Sequence, residues 1–195
     1  MKKIKLGLVA AMLWASVAGS ALATEVGKFY GAIDLGKTEV KGWCVGTAGL
    51  NCTDTDTLFR GAVGYQVNPN VAVEASYADY GTVEVSDNFG ALAEGSASGF
   101  QFSIVGSVPV SDVFSLTGKL GLALTDAEVT NNIGLPNTKD SNTTMAWGLG
   151  VRFQLNKSVA LRAQYESLGE ISADSADPTA DDDINLMTAG VIFNF

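Results

Sequence analysis

Eight segments of this chain alternate, residue by residue, between bulky apolar side chains and small or polar ones, and the last ends on the final residue. There, Phe195, Phe193, Val191, Ala189 and Met187 share one parity, while Asn194, Ile192, Gly190, Thr188 and Leu186 share the other. Strand side chains alternate faces with period two, so the segment reads as a strand with two different surroundings. The eight candidates are Lys28 to Thr38, Thr57 to Val67, Val71 to Tyr80, Gly99 to Val108, Val113 to Thr125, Thr143 to Leu155, Val159 to Leu168 and Ile184 to Phe195. Each approaches or slightly exceeds the about 9 to 11 residues that a tilted strand needs to cross a bilayer. Turn chemistry marks the short connections, Asn68-Pro69-Asn70, Pro109 to Asp112 and Asn156-Lys157-Ser158, whereas the alternate connections are long and rich in Gly, Ser, Thr, Asn and Asp.

The bulky parity holds from strand to strand. It carries Phe100, Phe102, Ile104 and Val108, then Leu116, Leu120, Leu122 and Leu124, then Met145, Trp147, Leu149, Val151 and Phe153; the opposite parity carries Gln101, Ser103, Lys119, Gly121, Gly148 and Arg152. An eight-stranded antiparallel barrel has an interior only wide enough for small or few side chains. The Phe, Leu and Trp set therefore faces outward, which suits lipid. A soluble barrel with the apolar face inward fails on volume.

Lys2, Lys3 and Lys5 precede an apolar stretch from Leu6 to Ala18 and a small-x-small site at Ala21-Leu22-Ala23. This predicts a cleaved secretory signal over residues 1–23 and a barrel domain over 24–195. The apolar stretch is shorter than the ~20 residues of a spanning helix. Cleavage removes three of the 12 basic residues and none of the 21 acidic ones, leaving nine against 21, a charge of −12. Nucleic acid is not an expected partner for such a chain. Cys44 and Cys52 lie close together in an exported protein and are expected to form a disulfide that shapes one loop.

The pieces Tyr30-Gly31-Ala32 with Leu35-Gly36, Gly64-Tyr65-Gln66-Val67-Asn68-Pro69, Lys119-Leu120-Gly121 and Leu161-Arg162-Ala163-Gln164-Tyr165 resemble the eight-stranded transmembrane domain of the outer-membrane protein A family and its small adhesion and opacity-type relatives. The resemblance covers the whole chain after the signal. It implies an up-and-down barrel in the Gram-negative outer membrane, with short periplasmic turns and four long extracellular loops. It also implies that Phe195 is the C-terminal signal read by the barrel-assembly machinery. The peptidoglycan-binding domain of longer family members has no counterpart here, so a wall-tethering role is not expected.

The inward parity carries Asp34, Glu74 and Glu166 against Arg60, Lys119, Arg152 and Arg162. Unpaired buried charge costs several kcal/mol, so these groups are expected to pair across the lumen with help from Gln66, Gln101, Gln154 and Gln164. The competing reading is a gated conduit whose ion pairs exchange partners.

Residues Gly31 to Thr38 match the phosphate-loop pattern G-x-x-x-x-G-K-[ST], but they alternate as a strand and no helix follows, so the match is accidental. The chain has no histidine. That removes the usual general base and the imidazole metal ligands, and no nucleophile elbow is visible, so an enzyme is not expected and no cofactor or metal is assigned. Asp54 and Asp56, and Asp174, Asp177 and Asp181 to Asp183, put carboxylates in the first and last loops. Their spacing is not that of an EF-hand, and a solvated loop is the simpler reading than calcium binding. The Asn51 and Asn142 N-x-Thr triplets are chance matches. The function that fits is structural and surface interaction, with adhesion or contact with host or environmental ligands through the loops, and lipopolysaccharide as a neighbour. Trp43, Val45 and Leu50 are the apolar contact candidates. A narrow small-solute channel is the first alternative and a lipid A-modifying enzyme the second.

Overall fold

The computed structural model describes residues 27–40, 51–53, 55–87, 90–131, 138–170 and 183–195. Among these residues nine strands follow one another: β1 (Phe29–Val40), β2 (Asn51–Thr53), β3 (Thr55–Asn68), β4 (Val71–Asp87), β5 (Gly90–Pro109), β6 (Phe114–Asn131), β7 (Thr138–Gln154), β8 (Val159–Glu170) and β9 (Asp183–Asn194). Eight of them form a closed antiparallel ring, since β4 and β5, at opposite ends of the row β4-β3-β1-β9-β8-β7-β6-β5, also pair with each other. The three-residue β2 is an arm on the outer end of β4, pairing Asn51 with Ser86 and Thr53 with Glu84. Residues 31–38 run through the middle of β1, so the phosphate-loop pattern is strand backbone.

Side-chain parity sorts the wall as alternation requires. Leu149 is 64% exposed and Phe102 56%, while Asp34, Arg60 and Glu166, of inward parity, are almost fully buried. Aromatic pairs mark both edges of the apolar band: Phe29 and Tyr65 lie 5.0 Å apart near the turns, and Tyr77 and Phe100 lie 4.9 Å apart towards the loops. Two of the turns repeat one device. Gln66 Nε2 donates to Asn68 O and Gln154 Nε2 to Asn156 O, each at 2.6 Å, while each Asn Oδ1 accepts the amide two residues on. These two glutamines therefore cap turns rather than joining the interior charges.

Strand length departs from the sequence reading. The alternation predicts strands ending at Tyr80 and Thr125 and starting at Gly99 and Thr143, yet β4, β5, β6 and β7 run 17, 20, 18 and 17 residues, against 12 to 14 for β1, β3, β8 and β9. Much of what reads as long loop is hairpin. Twenty residues of β5 rise roughly 65 Å along the strand, well over the ~25 Å apolar band of an outer-membrane barrel even after tilting. Above the membrane the outward face meets water and only scattered inward residues such as Val83 are buried, so no continuous apolar stripe advertises the strand.

Where the extension leaves the barrel, β4 bulges. Its register with β5 slips between Asp79 and Thr82, and Gly81 takes φ +83°, a left-handed conformation that suits glycine. The β3 to β4 ladder stops at Phe59 and Asp79. Beyond it, the Asp56 carboxylate accepts the amides of Thr82 and Thr57, both at 2.6 Å, and replaces the missing ladder bonds. Asp56 is thus a half-buried clasp at the strand junction, not a solvated loop acid.

Candidate functional site

The lumen is layered. Tyr30, Ala32, Ala62, Ala72, Ala160 and Ile192 fill the periplasmic part. Leu58, Tyr80, Leu168, Ile184 and Leu186 with three alanines fill the part towards the loops. Between them lies charge. Arg60 projects from β3 with Nε 2.9 Å from Asp34 Oδ2 and Nη1 2.5 Å from Glu166 Oε1. Lys119 Nζ of β6 stands 3.3 Å from Glu166 Oε2 and 3.0 Å from Glu74 Oε1. Arg162 of β8 closes the circuit: Nη1 donates to Glu74 Oε2 at 2.6 Å, while Nε and Nη2 donate to both oxygens of Asp34 at 2.7 and 2.6 Å. Three acids and three bases alternate in a closed cycle, Asp34, Arg60, Glu166, Lys119, Glu74, Arg162, each touching two of opposite sign.

Neutral groups complete the coordination. Tyr30 Oη donates to Glu74 at 3.0 Å, Gln101 Nε2 to Glu166 at 3.2 Å, and Arg60 Nη2 to Gln164 Oε1 at 3.1 Å and Thr188 Oγ1 at 3.2 Å. Charge-assisted and bidentate bonds of this kind are the strong class, and they offset part of the cost of taking six ions from water. Room for the cycle comes from glycines. A Cβ on Gly64 would occupy the Tyr30 ring, and one on Gly190 would lie 2.9 Å from Asp34 Cα and press on the Asp34 carboxylate.

Six of the seven inward charges singled out in the sequence thus meet in one cycle. The seventh, Arg152, sits lower, with Nη2 3.1 Å from Asn194 Oδ1 and its guanidinium 5.9 Å from the Tyr30 ring centre. Gln101 and Gln164 join the cycle. Tyr30 and Thr188 also take part, although only their inward parity could have pointed to them. Phe195 is 73% exposed on the outer wall beside Gly31, its amide donating to Phe29 O at 3.0 Å. Cys44, Trp43, Val45, Leu50, Asp54, Asp174, Asp177, Asp181, Asp182 and the side chains of Cys52 and Asp183 lie outside what is described, and so does the disulfide. Among the described residues no cluster of His, Cys, Asp and Glu is placed to hold a metal.

A second polar surface stands on the outward side of the β4 to β7 extension. Asp79, Ser96, Ser98, Asp126, Glu128, Lys139 and Ser141 line a concavity of about 450 Å³ directly above Tyr77. Lys139 pairs with Glu128 at 2.8 Å and Ser141 Oγ donates to Asp126 at 2.5 Å. One base stands among three outward acids.

Lipid-facing apolar walls, aromatic girdles and a lumen filled by paired charges define an integral β-barrel of the outer membrane. The profile described as outer membrane protein beta-barrel domain matches residues 7–195, and the chain belongs to that family. No curated protein matches it in sequence. Similar solved structures include Ail, the attachment invasion locus protein of Yersinia pestis, at 18% identity over 88% of this chain and 100% of that one, with TM-score 0.57. Neisserial surface protein A is similar at 15% identity over 86% and 97%, with TM-score 0.61. OprG from Pseudomonas aeruginosa is similar at 16% identity over 90% and 99%, with TM-score 0.58. At these identities the likeness is one of fold.

Proposed function

We propose that the protein is a structural and surface-interaction component of the outer membrane whose binding element is the β4 to β7 extension with its loops. The observation that carries this reading is the asymmetry of the wall. Four consecutive strands of 17 to 20 residues continue past the apolar band as a hydrogen-bonded sheet, against 12 to 14 described residues in each of the other four. A rigid sheet holds side chains for recognition at lower entropic cost than free loops. The interior supports the same reading, because six mutually paired charges fill the lumen between two apolar clusters, and the cavity among Gln66, Arg152 and Arg162 on the periplasmic side holds only about 30 Å³.

The sign of the surface narrows the partner. Ail has been crystallised with the heparin analogue sucrose octasulfate. In this chain the outward wall carries Asp79, Asp126 and Glu128 against Lys139, so a sulfated polyanion is repelled and a basic partner surface is favoured. Trimming the hairpins at Thr82 to Ser96 and at Asp126 to Ser141 to short turns tests the proposal. The expected result is a barrel that still shows heat-modifiable electrophoretic mobility but no longer supports attachment to surfaces or host cells. Unchanged attachment by the trimmed barrel refutes it.

A further inference from the structure

The membrane-facing wall is not uniformly convex. A trough of about 610 Å³ crosses it from the Phe29 and Tyr65 pair to Met145. Two outward rows form its sides. One is Val63, Ala75, Phe102, Leu122 and Met145, successive cross-strand partners from β3 to β7; the other is Tyr65, Val73, Ile104 and Leu120. Between them runs the row Gly64, Glu74, Ser103 and Gly121, whose inward parity presents bare main chain to the outside and sets the floor. Ala75, the smallest outward residue in either row, deepens the trough on β4.

Direction identifies the occupant. Tyr65 lies close to the Pro69-Asn70 turn, whereas Met145 is far from the Asn156 to Ser158 turn that ends β7. The trough therefore opens at the periplasmic aromatic girdle, where lipid headgroups sit, and climbs obliquely into the hydrocarbon. A flexible chain entering from that side finds aliphatic and aromatic contact on both flanks, while every inward polar side chain of the floor row points away from it. We propose that this trough seats one acyl chain of a phospholipid of the periplasmic leaflet, making it a specific lipid site on an otherwise solvent-like lipid face.

The test uses the full chain in bilayers of phosphatidylethanolamine and phosphatidylglycerol, with Ala75→Phe and Ala75→Ile putting bulk into the trough from its flank on β4 and Leu161→Phe as a lipid-face control on β8. Electrophoretic mobility before and after heating confirms that each variant folds. Native mass spectrometry of barrels released from the bilayer is expected to find one retained phospholipid on the wild type and the control. Both Ala75 variants are expected to lose it, and to lose the motionally restricted fraction of a spin-labelled phospholipid. Should either Ala75 variant fold poorly, the wild type decides alone through saturable competition between spin-labelled and unlabelled phospholipid. Retention unaltered in the Ala75 variants, retention of lipid A in place of phospholipid, cross-linking of two barrels through Ala75→Cys, or no retained lipid on the wild type would each overturn the assignment.

Discussion

Removing one cation from the closed cycle should cost far more than a surface ion pair, and the pattern of rescue should reveal the cycle itself. Arg162→Met keeps the length and apolar stem of the side chain but deletes three charge-assisted bonds, two to Asp34 and one to Glu74. The remaining groups are three carboxylates facing two bases, all buried. Breaking a buried pair by removing one partner typically costs about 3–5 kcal/mol, because the partner left behind stays desolvated. That is the expected loss on urea unfolding from phospholipid vesicles, followed by tryptophan fluorescence and by the heat-resistant electrophoretic form. Neutralising an acid in the same chain should recover part of it, in an order set by contact. Asp34 loses two of its three bonds to bases, Glu74 loses one and keeps Lys119 and Tyr30, and Glu166 loses none. Rescue should therefore fall from Asp34→Asn through Glu74→Gln to Glu166→Gln, with coupling of roughly 0.5–3 kcal/mol for the direct contacts. Equal rescue by all three would mean that only net lumen charge matters, and a loss below ~1 kcal/mol for Arg162→Met would mean the cycle contributes little. Either result refutes the reasoning.

Gly190→Ala should destabilise the barrel by about 1–3 kcal/mol, because its methyl group lies against Asp34 and the Ile33 carbonyl at the β1 to β9 seam; Gly61→Ala, whose methyl meets nothing within 4 Å, should shift the same urea midpoint hardly at all. Asp56→Ala should free the Thr82 and Thr57 amides, raising hydrogen exchange at Thr82 by roughly tenfold for a lost bond to a charged acceptor while global unfolding barely changes; Asp56→Asn, which keeps an acceptor, should retain most of the protection.

How much of this was readable in the sequence follows from where contrast exists along the chain. Inside the bilayer one wall face meets hydrocarbon and the other a crowded lumen, so Phe102 and Ser103, or Leu149 and Arg152, declare their sides by chemistry alone. Parity therefore places Asp34, Arg60, Glu74, Lys119, Arg162 and Glu166 in the lumen. It does not say which of them meet. That depends on the stagger between strands, which brings Arg60 of β3 to Glu166 of β8 and Lys119 of β6 to Glu74 of β4 across the barrel, and stagger leaves no local signature. Gln66 and Gln154 share the inward parity of Gln101 and Gln164, yet they sit one step from a turn and bond its carbonyls instead. Above the membrane the contrast disappears. Thr82-Val83-Glu84-Val85 still alternates, and Val83 is buried on the inner side of the extension, but stretches such as Ser96-Ala97-Ser98 carry no apolar stripe and read as loop.

Charge divides between the two regions in a way that bears on function. The cycle holds three acids and three bases, so it contributes nothing to the formal charge of −9. The acidic excess therefore lies outside the cycle, and lipid disfavours it on the outward face of the band. It must collect where water is: on the outward side of the extension, where Asp79, Asp126 and Glu128 stand, and in the connections rich in aspartate. Neutrality within the cycle and negative charge outside it serve different ends. The first is required for any barrel this narrow to close around ions without leaving one unpaired. The second is not required by folding at all, since exposed like charges repel and add little stability. A charge distribution that folding does not demand, carried on a sheet longer than the membrane demands, is the physical ground for placing recognition on the β4 to β7 extension rather than along the axis.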